Sequence, residues 1–314
     1  MPYRPPGTRA RTNIASWRWA IGLGLLAVLV AVAGPHRLAA VLTIVSPSWF
    51  GLVFVGAVLW LLLGASNVWL LLRRLEMVPF APFLRSYLES WLLSLLLPGQ
   101  LGDASQVLLL KRAGVPVDKS GAAYILDKAI SLLWLGAVST VGIVLYARFP
   151  ARTWVLSIVL GGLLAVIVGW GVARGVPHSK GWAARVRSVW TSIVAQILGF
   201  RRYPGSIAVN FGLTVLKWVV NTALYVAAFR AVSIAIALGS AATIPFMSSL
   251  VGYVPVTVAG AGTMELTAIV LFGRQGIAAA TVLSVYLLLR MTMVIAAVVT
   301  VAALEYGARE ESRA

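Results

Sequence analysis

The chain has 314 residues, of which 60% are hydrophobic and only 11% are charged, and its mean hydropathy is +0.93. A soluble domain has about 45–50% apolar and about 25% charged residues. The composition therefore excludes a soluble enzyme, a disordered chain and a nucleic-acid-binding domain, despite a net charge of +17. Apolar runs of 20 or more residues predict a polytopic α-helical membrane protein. With no cysteine and two histidines, we expect no disulfide, metal centre or cofactor.

The first segment, residues 1–18, is basic and Pro-rich and is predicted to be a cytoplasmic tail. The apolar run 19–34 is predicted to span the membrane. A cleaved signal peptide is the less favoured interpretation, because apolar sequence and further spans follow. A second span is predicted from about 49 to 72, where Arg73 and Arg74 end it.

The next apolar stretch, 80–97, is too short and too charged to be a simple span. Arg85 and Glu89 lie inside it, four residues apart, and would face each other on a helix. A Pro/Gly-rich break follows, and then a short apolar piece, 104–110. We predict a helical hairpin that enters and leaves on one side, with irregular backbone at its tip. The break reads Pro98-Gly99-Gln100-Leu101-Gly102-Asp103.

Two more spans are predicted at about 120–147 and 153–173, and the first of them carries Asp127 and Lys128. Residues 174–205 then contain six Lys and Arg without an acidic residue. Apolar side chains recur there at helical spacing. This pattern predicts an amphipathic helix on an anionic leaflet. An ordinary basic loop is the alternative.

The last third of the chain holds a span at 206–230, which contains Lys217, and a second broken apolar region at 241–273. A final span, 277–304, carries Arg290. The second break contains Pro255, Gly260 and Gly262, followed by Glu265.

The basic residues orient this layout. With the N-terminus in the cytoplasm, 17 of the 26 Lys and Arg fall in cytoplasmic segments, five fall outside and four lie at membrane depth. This positive-inside bias predicts a multi-pass protein of the plasma (inner) membrane with both termini cytoplasmic. The transmembrane domain is then 19–304, and 305–314 is a cytoplasmic tail.

The two halves of this domain have the same order of elements: two spans, a hairpin and a span. Repeat 1 covers about 19–148 and repeat 2 about 153–304, with Pro98 and Pro255 placed 157 residues apart. Paired broken segments in opposed halves indicate an inverted-repeat transporter with its site where the breaks meet. The predicted fold is all-α, with about six full spans and two re-entrant hairpins, which a helix count would give as seven or eight transmembrane helices.

The breaks and the charges at membrane depth are the candidate site. Non-helical backbone at this depth must be buried in protein or line a wet cavity, and the helix N-termini that follow favour anions such as phosphate headgroups. Charges there are costly and by default functional. Arg290 is expected to meet Glu265 or a lipid phosphate. Asp103 and Glu265, at matching places, form a cation or proton site or a gate, or else cap helices. The candidate path comprises Pro98, Gly99, Gly102, Asp103, Asp127, Lys128, Pro255, Gly260, Gly262, Glu265 and Arg290, with Arg85, Glu89 and Lys217 as secondary members, and structural ion pairs are the alternative for the charged residues.

Enzyme signatures are absent from the sequence: it contains no P-loop, no HExxH and no GxSxG motif. We therefore expect a protein that is not an enzyme.

Two segments carry a family resemblance. Leu97 to Asp103, followed by Lys111-Arg112 and Asp127-Lys128, resembles the first signature of the lysylphosphatidylglycerol synthase transmembrane (flippase-like) family. Val254 to Glu265 resembles its second signature, and Arg290 matches a recurrent position. The resemblance covers about residues 50 to 300. The chain departs from the family at Gln106 and Met264, where members often carry basic residues, and in the incomplete double glycines.

This resemblance implies an integral membrane protein that moves a polar lipid (anionic, zwitterionic or glycosylated) between leaflets. No cytosolic synthase domain is expected after residue 304. The implied partners are membrane phospholipids or a lipid-linked substrate, with anionic headgroups at the cytoplasmic face, and not nucleic acid; the oligomeric state is open. Two alternatives are an ion- or proton-coupled small-solute transporter and a non-transporting membrane partner of a lipid-modifying enzyme.

Overall fold

A computed structural model of the protein describes residues 43, 45–95, 101–146, 182–252 and 263–311, and no strand occurs among them. The described residues form nine α-helices, with a 3-10 turn, Phe200–Arg202, between the fifth and the sixth. The helices are α1 Pro47–Leu72, α2 Phe80–Ser94, α3 Leu101–Arg112, α4 Val117–Tyr146, α5 Trp182–Gly199, α6 Pro204–Ala231, α7 Leu238–Gly252, α8 Thr263–Gly273 and α9 Ala279–Glu311.

Four of these helices, α1, α4, α6 and α9, are long and apolar enough to cross a membrane. They correspond to the spans predicted at 49–72, 120–147, 206–230 and 277–304. The spans predicted at 19–34 and 153–173 lie outside the described residues. The last helix continues to Glu311, so residues 305–311 of the predicted tail prolong the span as helix.

Short helices stand in pairs where the hairpins were predicted. α2 packs against α3, and α7 packs against α8. The longest of the four has 15 residues, which is about 22 Å of helix and too short for a hydrocarbon core of about 30 Å. The two breaks at 96–100 and 253–262, with Pro98, Gly99, Pro255, Gly260 and Gly262, lie outside the described residues.

The described helices repeat one arrangement. A long helix, a pair of short helices and a long helix occur as α1 to α4 and again as α6 to α9. Within each group the contacts match: α1 packs on α2 and α4 as α6 packs on α7 and α9, and α3 packs on α4 as α8 packs on α9. Between the groups they also match, because α4 packs on α7 as α9 packs on α2, and α1 packs on α9 as α6 packs on α4. Finally, α1 packs on α6, which is its own counterpart.

The sequence register agrees with this exchange. Pro47 and Pro204, 157 residues apart, both open a long helix, where proline is favoured because its missing N–H is not needed. Gly114 and Gly276, 162 residues apart, occupy the turns before α4 and α9 with φ of 91° and 79°. Both turns require a backbone conformation that glycine adopts freely. Counterparts therefore differ by 157 residues in the first long helix and by 162 in the last.

Helices α1 and α6 run antiparallel along their whole length. Since they are counterparts, exchanging the two groups reverses the direction of the helices. From one end to the other, the contacts are Ser46 N to Ala231 O at 3.2 Å, Gly56 against Leu224, Lys217 Nζ over the Trp60 ring at 4.1 Å, Asn67 Nδ2 to Thr214 Oγ1 at 3.2 Å, and Arg74 Nε to Ser206 Oγ at 3.1 Å.

The core has two parts, one for each group of helices. One cluster is built mainly on α6 to α9 around Phe229 and Phe272, and the other mainly on α1 and α2 around Phe83. Large apolar side chains also point outwards from the long helices, among them Val55 and Leu133, which are 64% and 76% exposed. Such a surface suits hydrocarbon, which has no polar groups to offer.

The basic segment 174–205 contains α5, so the predicted helix is confirmed for residues 182–199 and the loop alternative is wrong there. α5 packs on α4. Ser192 Oγ donates to Asp118 Oδ2 at 2.7 Å, and Ile193 is buried against Gly121. One face of the helix is therefore bound to the bundle.

Close packing of α4 on α7 depends on Gly142. A Cβ at this position would lie 2.7 Å from Met247 Sδ and 3.0 Å from Thr243 Cβ. We expect Gly142→Leu to destabilise the protein by about 1–3 kcal/mol through overpacking. The same change at Gly136, where nothing lies within 4 Å on the same helix, is the control. Equal unfolding temperatures of the two purified variants would contradict this packing.

Candidate functional site

A buried ion pair joins the second hairpin to the last helix. Glu265 is the third residue of α8 and Arg290 lies within α9. The Nη2 atom of Arg290 is 2.7 Å from Oε1 of Glu265, and the two side chains are only 14% and 8% exposed. The contact expected between these two residues is therefore present, directly after the second break.

Two tyrosines surround this pair. The rings of Tyr225 and Tyr286 are 5.2 Å apart, and both side chains are buried. The Tyr286 hydroxyl donates to Ser248 Oγ at 3.4 Å, which links α9 to α7. Sequence reasoning missed these hydroxyl groups, although Tyr286 lies four residues before Arg290 and so on the same helical face.

This arrangement has a definite chemistry. A guanidinium is always charged, and its planar fork fits a carboxylate and a phosphate equally well. The Glu265 carboxylate satisfies Arg290 in this conformation. A phosphate group of a lipid presents the same kind of oxygens, so it can take the place of the carboxylate.

Asp127 and Lys128 point to different neighbours. Asp127 is buried, and its Oδ1 accepts a hydrogen bond of 3.0 Å from Asn210 Nδ2, which also donates to the Asn67 carbonyl at 3.0 Å. Lys128 Nζ lies 5.5 Å from the centre of the Tyr124 ring. The structure thus brings Asp127 to α1 and α6, and neither asparagine was among the predicted site residues.

The secondary residues divide between an end and the middle of the bundle. Arg85 contacts Glu89 at 3.0 Å, as predicted, and Glu305 at 2.6 Å. This cluster ties α2 to α9 and its arginine is 36% exposed, which favours a structural role. Lys217 lies over Trp60, where α1 crosses α6.

The first hairpin matches the second in backbone position. Gly102 and Asp103 are the second and third residues of α3, as Met264 and Glu265 are of α8. The side chains of Gly102 and Asp103 lie outside what the structure describes. Gln106, one turn further, is buried. No group of three His, Cys, Asp or Glu side chains that could hold a metal occurs among the described residues.

A sequence model of the lysylphosphatidylglycerol synthase TM region matches residues 19–301. The chain belongs to this family. The match covers nearly the whole chain and includes both signature segments. It makes the protein a membrane protein of a lipid-related family. No curated protein matches the sequence.

Basic side chains of this family member collect at one end of the bundle, here called the basic end. Lys119 pairs with Glu76 at 2.7 Å, and Arg74 donates to Ser206 at 3.1 Å, so the end of α1 meets the starts of α4 and α6. A cavity of about 620 Å³ opens there. Its basic lining residues are Arg73, Arg74 and Arg202. Arg230 and Arg274 lie at the opposite ends of α6 and α8.

Proposed function

We propose that this member of the lysylphosphatidylglycerol synthase TM-region family moves a polar lipid between leaflets and does not modify it chemically. The observation that carries the proposal is the Glu265–Arg290 ion pair, buried at the start of a hairpin arm. The family match supports a lipid-related role.

The depth of the pair is the first supporting argument. Arg290 is eleven residues into α9, about 17 Å along the helix and near the middle of a hydrocarbon core of about 30 Å. An ion pair is expensive there, and apolar residues would fill the space at lower cost. A phosphate crossing the membrane needs a cation at this depth, and Arg290 supplies one.

The matched contacts of the two helix groups are the second argument. Counterpart helices that pack antiparallel are the mark of an inverted repeat. In this arrangement α1 and α6 form the central contact, and each hairpin packs on the last helix of the other group. Movement of one repeat against the other about α1 and α6 would expose the headgroup path to each side in turn, with Asp103 as the counterpart of Glu265.

The basic end provides the third argument. Anionic leaflets attract clustered Lys and Arg, by about 1 kcal/mol for each residue near the surface. We assign the basic end to the cytoplasmic side of the plasma membrane, with both termini on that side. The cavity lined by Arg73, Arg74 and Arg202 is then positioned to receive anionic headgroups before they enter the path.

Reconstituted liposomes that contain fluorescent phosphatidylglycerol test the proposal. We expect the wild-type protein to move the labelled lipid and Glu265→Gln to move it at least about tenfold more slowly, since about 1.4 kcal/mol of barrier corresponds to that factor. Glu76→Gln, which removes an exposed acid from a surface ion pair, is the control.

Two outcomes would refute this function. Wild-type vesicles that move no labelled lipid exclude lipid transport, and a Glu265→Gln variant as fast as Glu76→Gln excludes the ion pair from the path. Uptake of a soluble solute without lipid movement would favour the small-solute alternative.

A further inference from the structure

A second buried polar cluster lies away from the Glu265–Arg290 pair, on α1, α4 and α6. Asn67, Asp127, Asn210 and Thr214 are 2%, 6%, 0% and 0% exposed. Asn210 Nδ2 donates to Asp127 Oδ1 and to the Asn67 carbonyl, each at 3.0 Å. Asn67 Nδ2 donates to Thr214 Oγ1 at 3.2 Å, and that hydroxyl donates to the Asn210 carbonyl at 2.9 Å.

These bonds use the amide N–H groups and leave oxygens over. Oδ1 of Asn67 and Oδ1 of Asn210 are buried and have no hydrogen-bond partner among the described residues. A buried acceptor without a partner loses its hydration with no compensation, and such groups are rare and call for an explanation. Two neutral oxygens and a carboxylate in one cluster require an electropositive ligand.

The molecule contains its own apolar version of this cluster. Under the exchange of the two helix groups, all four residues have buried apolar counterparts, and three of these pack in a single hydrophobic cluster. The fold thus accepts hydrocarbon at these positions, and burying polar groups is generally no more stabilising than good apolar packing. The counterparts are Leu224 for Asn67, Val53 for Asn210, Leu289 for Asp127 and Ala57 for Thr214.

We propose that Asn67, Asn210 and Asp127 bind a sodium-sized monovalent cation. Carboxylate and amide oxygens are the ligands of hard cations. The cluster carries one negative charge, so a monovalent ion makes it neutral, whereas a divalent ion would leave a net positive charge in a medium of low dielectric constant. A proton would neutralise Asp127 but would leave both amide oxygens without a ligand.

The position of the site gives the ion a route. Asn67 is five residues from the end of α1, Asn210 is six residues into α6, and Asp127 is ten residues into α4. These separations put the site within about 15 Å of the basic end. Thr214 does not need to touch the ion, because it holds the Asn67 amide through its hydroxyl. This site does not depend on the lipid-transport proposal.

Cation-dependent stability of the purified full chain in detergent tests the site. We expect NaCl to raise the unfolding temperature saturably over the value in choline chloride at equal ionic strength, with KCl less effective, and radioactive sodium to bind once per chain. Asp127→Asn should abolish both signals. Ser139→Ala should keep both, because Ser139 is a buried residue of the same helix whose oxygen also lacks a partner among the described residues.

A second variant separates ion binding from folding. Asn67→Leu/Asn210→Val/Asp127→Leu copies the apolar counterparts, so we expect a monodisperse protein whose unfolding temperature no longer responds to sodium. The proposal fails if the wild type shows no sodium-specific shift, or if Asp127→Asn or the triple variant keeps the shift. A response to pH alone would assign the cluster to protonation instead and also overturn it.

Discussion

Replacing Arg290 by glutamine is expected to destabilise the protein by about 3–5 kcal/mol, because it leaves the Glu265 carboxylate buried without its partner. Glu265→Gln should have an effect of the same order by leaving the guanidinium unpaired. The double variant Glu265→Gln/Arg290→Gln buries two neutral amides and should recover most of this loss. Chemical unfolding in detergent measures all three.

The double variant also separates stability from transport. If Arg290 receives phosphate, the stable double variant should remain as slow in lipid movement as either single variant. Lys119→Gln breaks an exposed ion pair with Glu76 and should change stability by less than about 1 kcal/mol. An Arg290→Gln protein as stable as Lys119→Gln, or a double variant that transports at the wild-type rate, would show that the pair does not have this role.

Joining α1 to α6 by a disulfide is expected to stop transport reversibly. A Cβ at Gly56 would lie 2.7 Å from Leu224 Cδ2 and 3.2 Å from its Cγ, so cysteines at these two positions are close enough to cross-link. The chain contains no other cysteine. Because α1 and α6 belong to different repeats, the bond would hold the repeats in one arrangement and should slow lipid movement by at least about tenfold.

Reduction and single variants make this test specific. Dithiothreitol should restore the rate of Gly56→Cys/Leu224→Cys, and each single cysteine variant should respond to neither oxidant nor reductant. The cross-linked fraction is read on a denaturing gel. Fully cross-linked protein that transports at the reduced rate would contradict movement of the repeats about α1 and α6.

Much of the helical layout follows from the sequence. Long apolar runs predict α1, α4, α6 and α9, since only a helix satisfies its own backbone in lipid. Charge and length separate the short helices from these spans, and Arg85 and Glu89 in particular mark 80–97 as different. The extension of α9 to Glu311 was not predicted, because Glu305 looks like the start of a polar tail until Arg85 contacts it.

The candidate site was only partly predictable. Rare charges at membrane depth identified Glu265 and Arg290, and their contact is present in the structure. Asn67 and Asn210 were missed because neutral amides in an apolar helix carry no charge signal. Only the packing of α1, α4 and α6 shows that they meet Asp127.

By itself, the sequence determined that this is a helical membrane protein with two broken segments and an excess of positive charge on one side. These properties depend on hydropathy and charge summed over local segments. Tertiary structure alone decided which residues meet across the bundle: α1 with α6, Glu265 with Arg290, and Asp127 with Asn210. Such contacts join residues up to 170 positions apart, and they depend on side-chain packing between helices, which no local pattern contains.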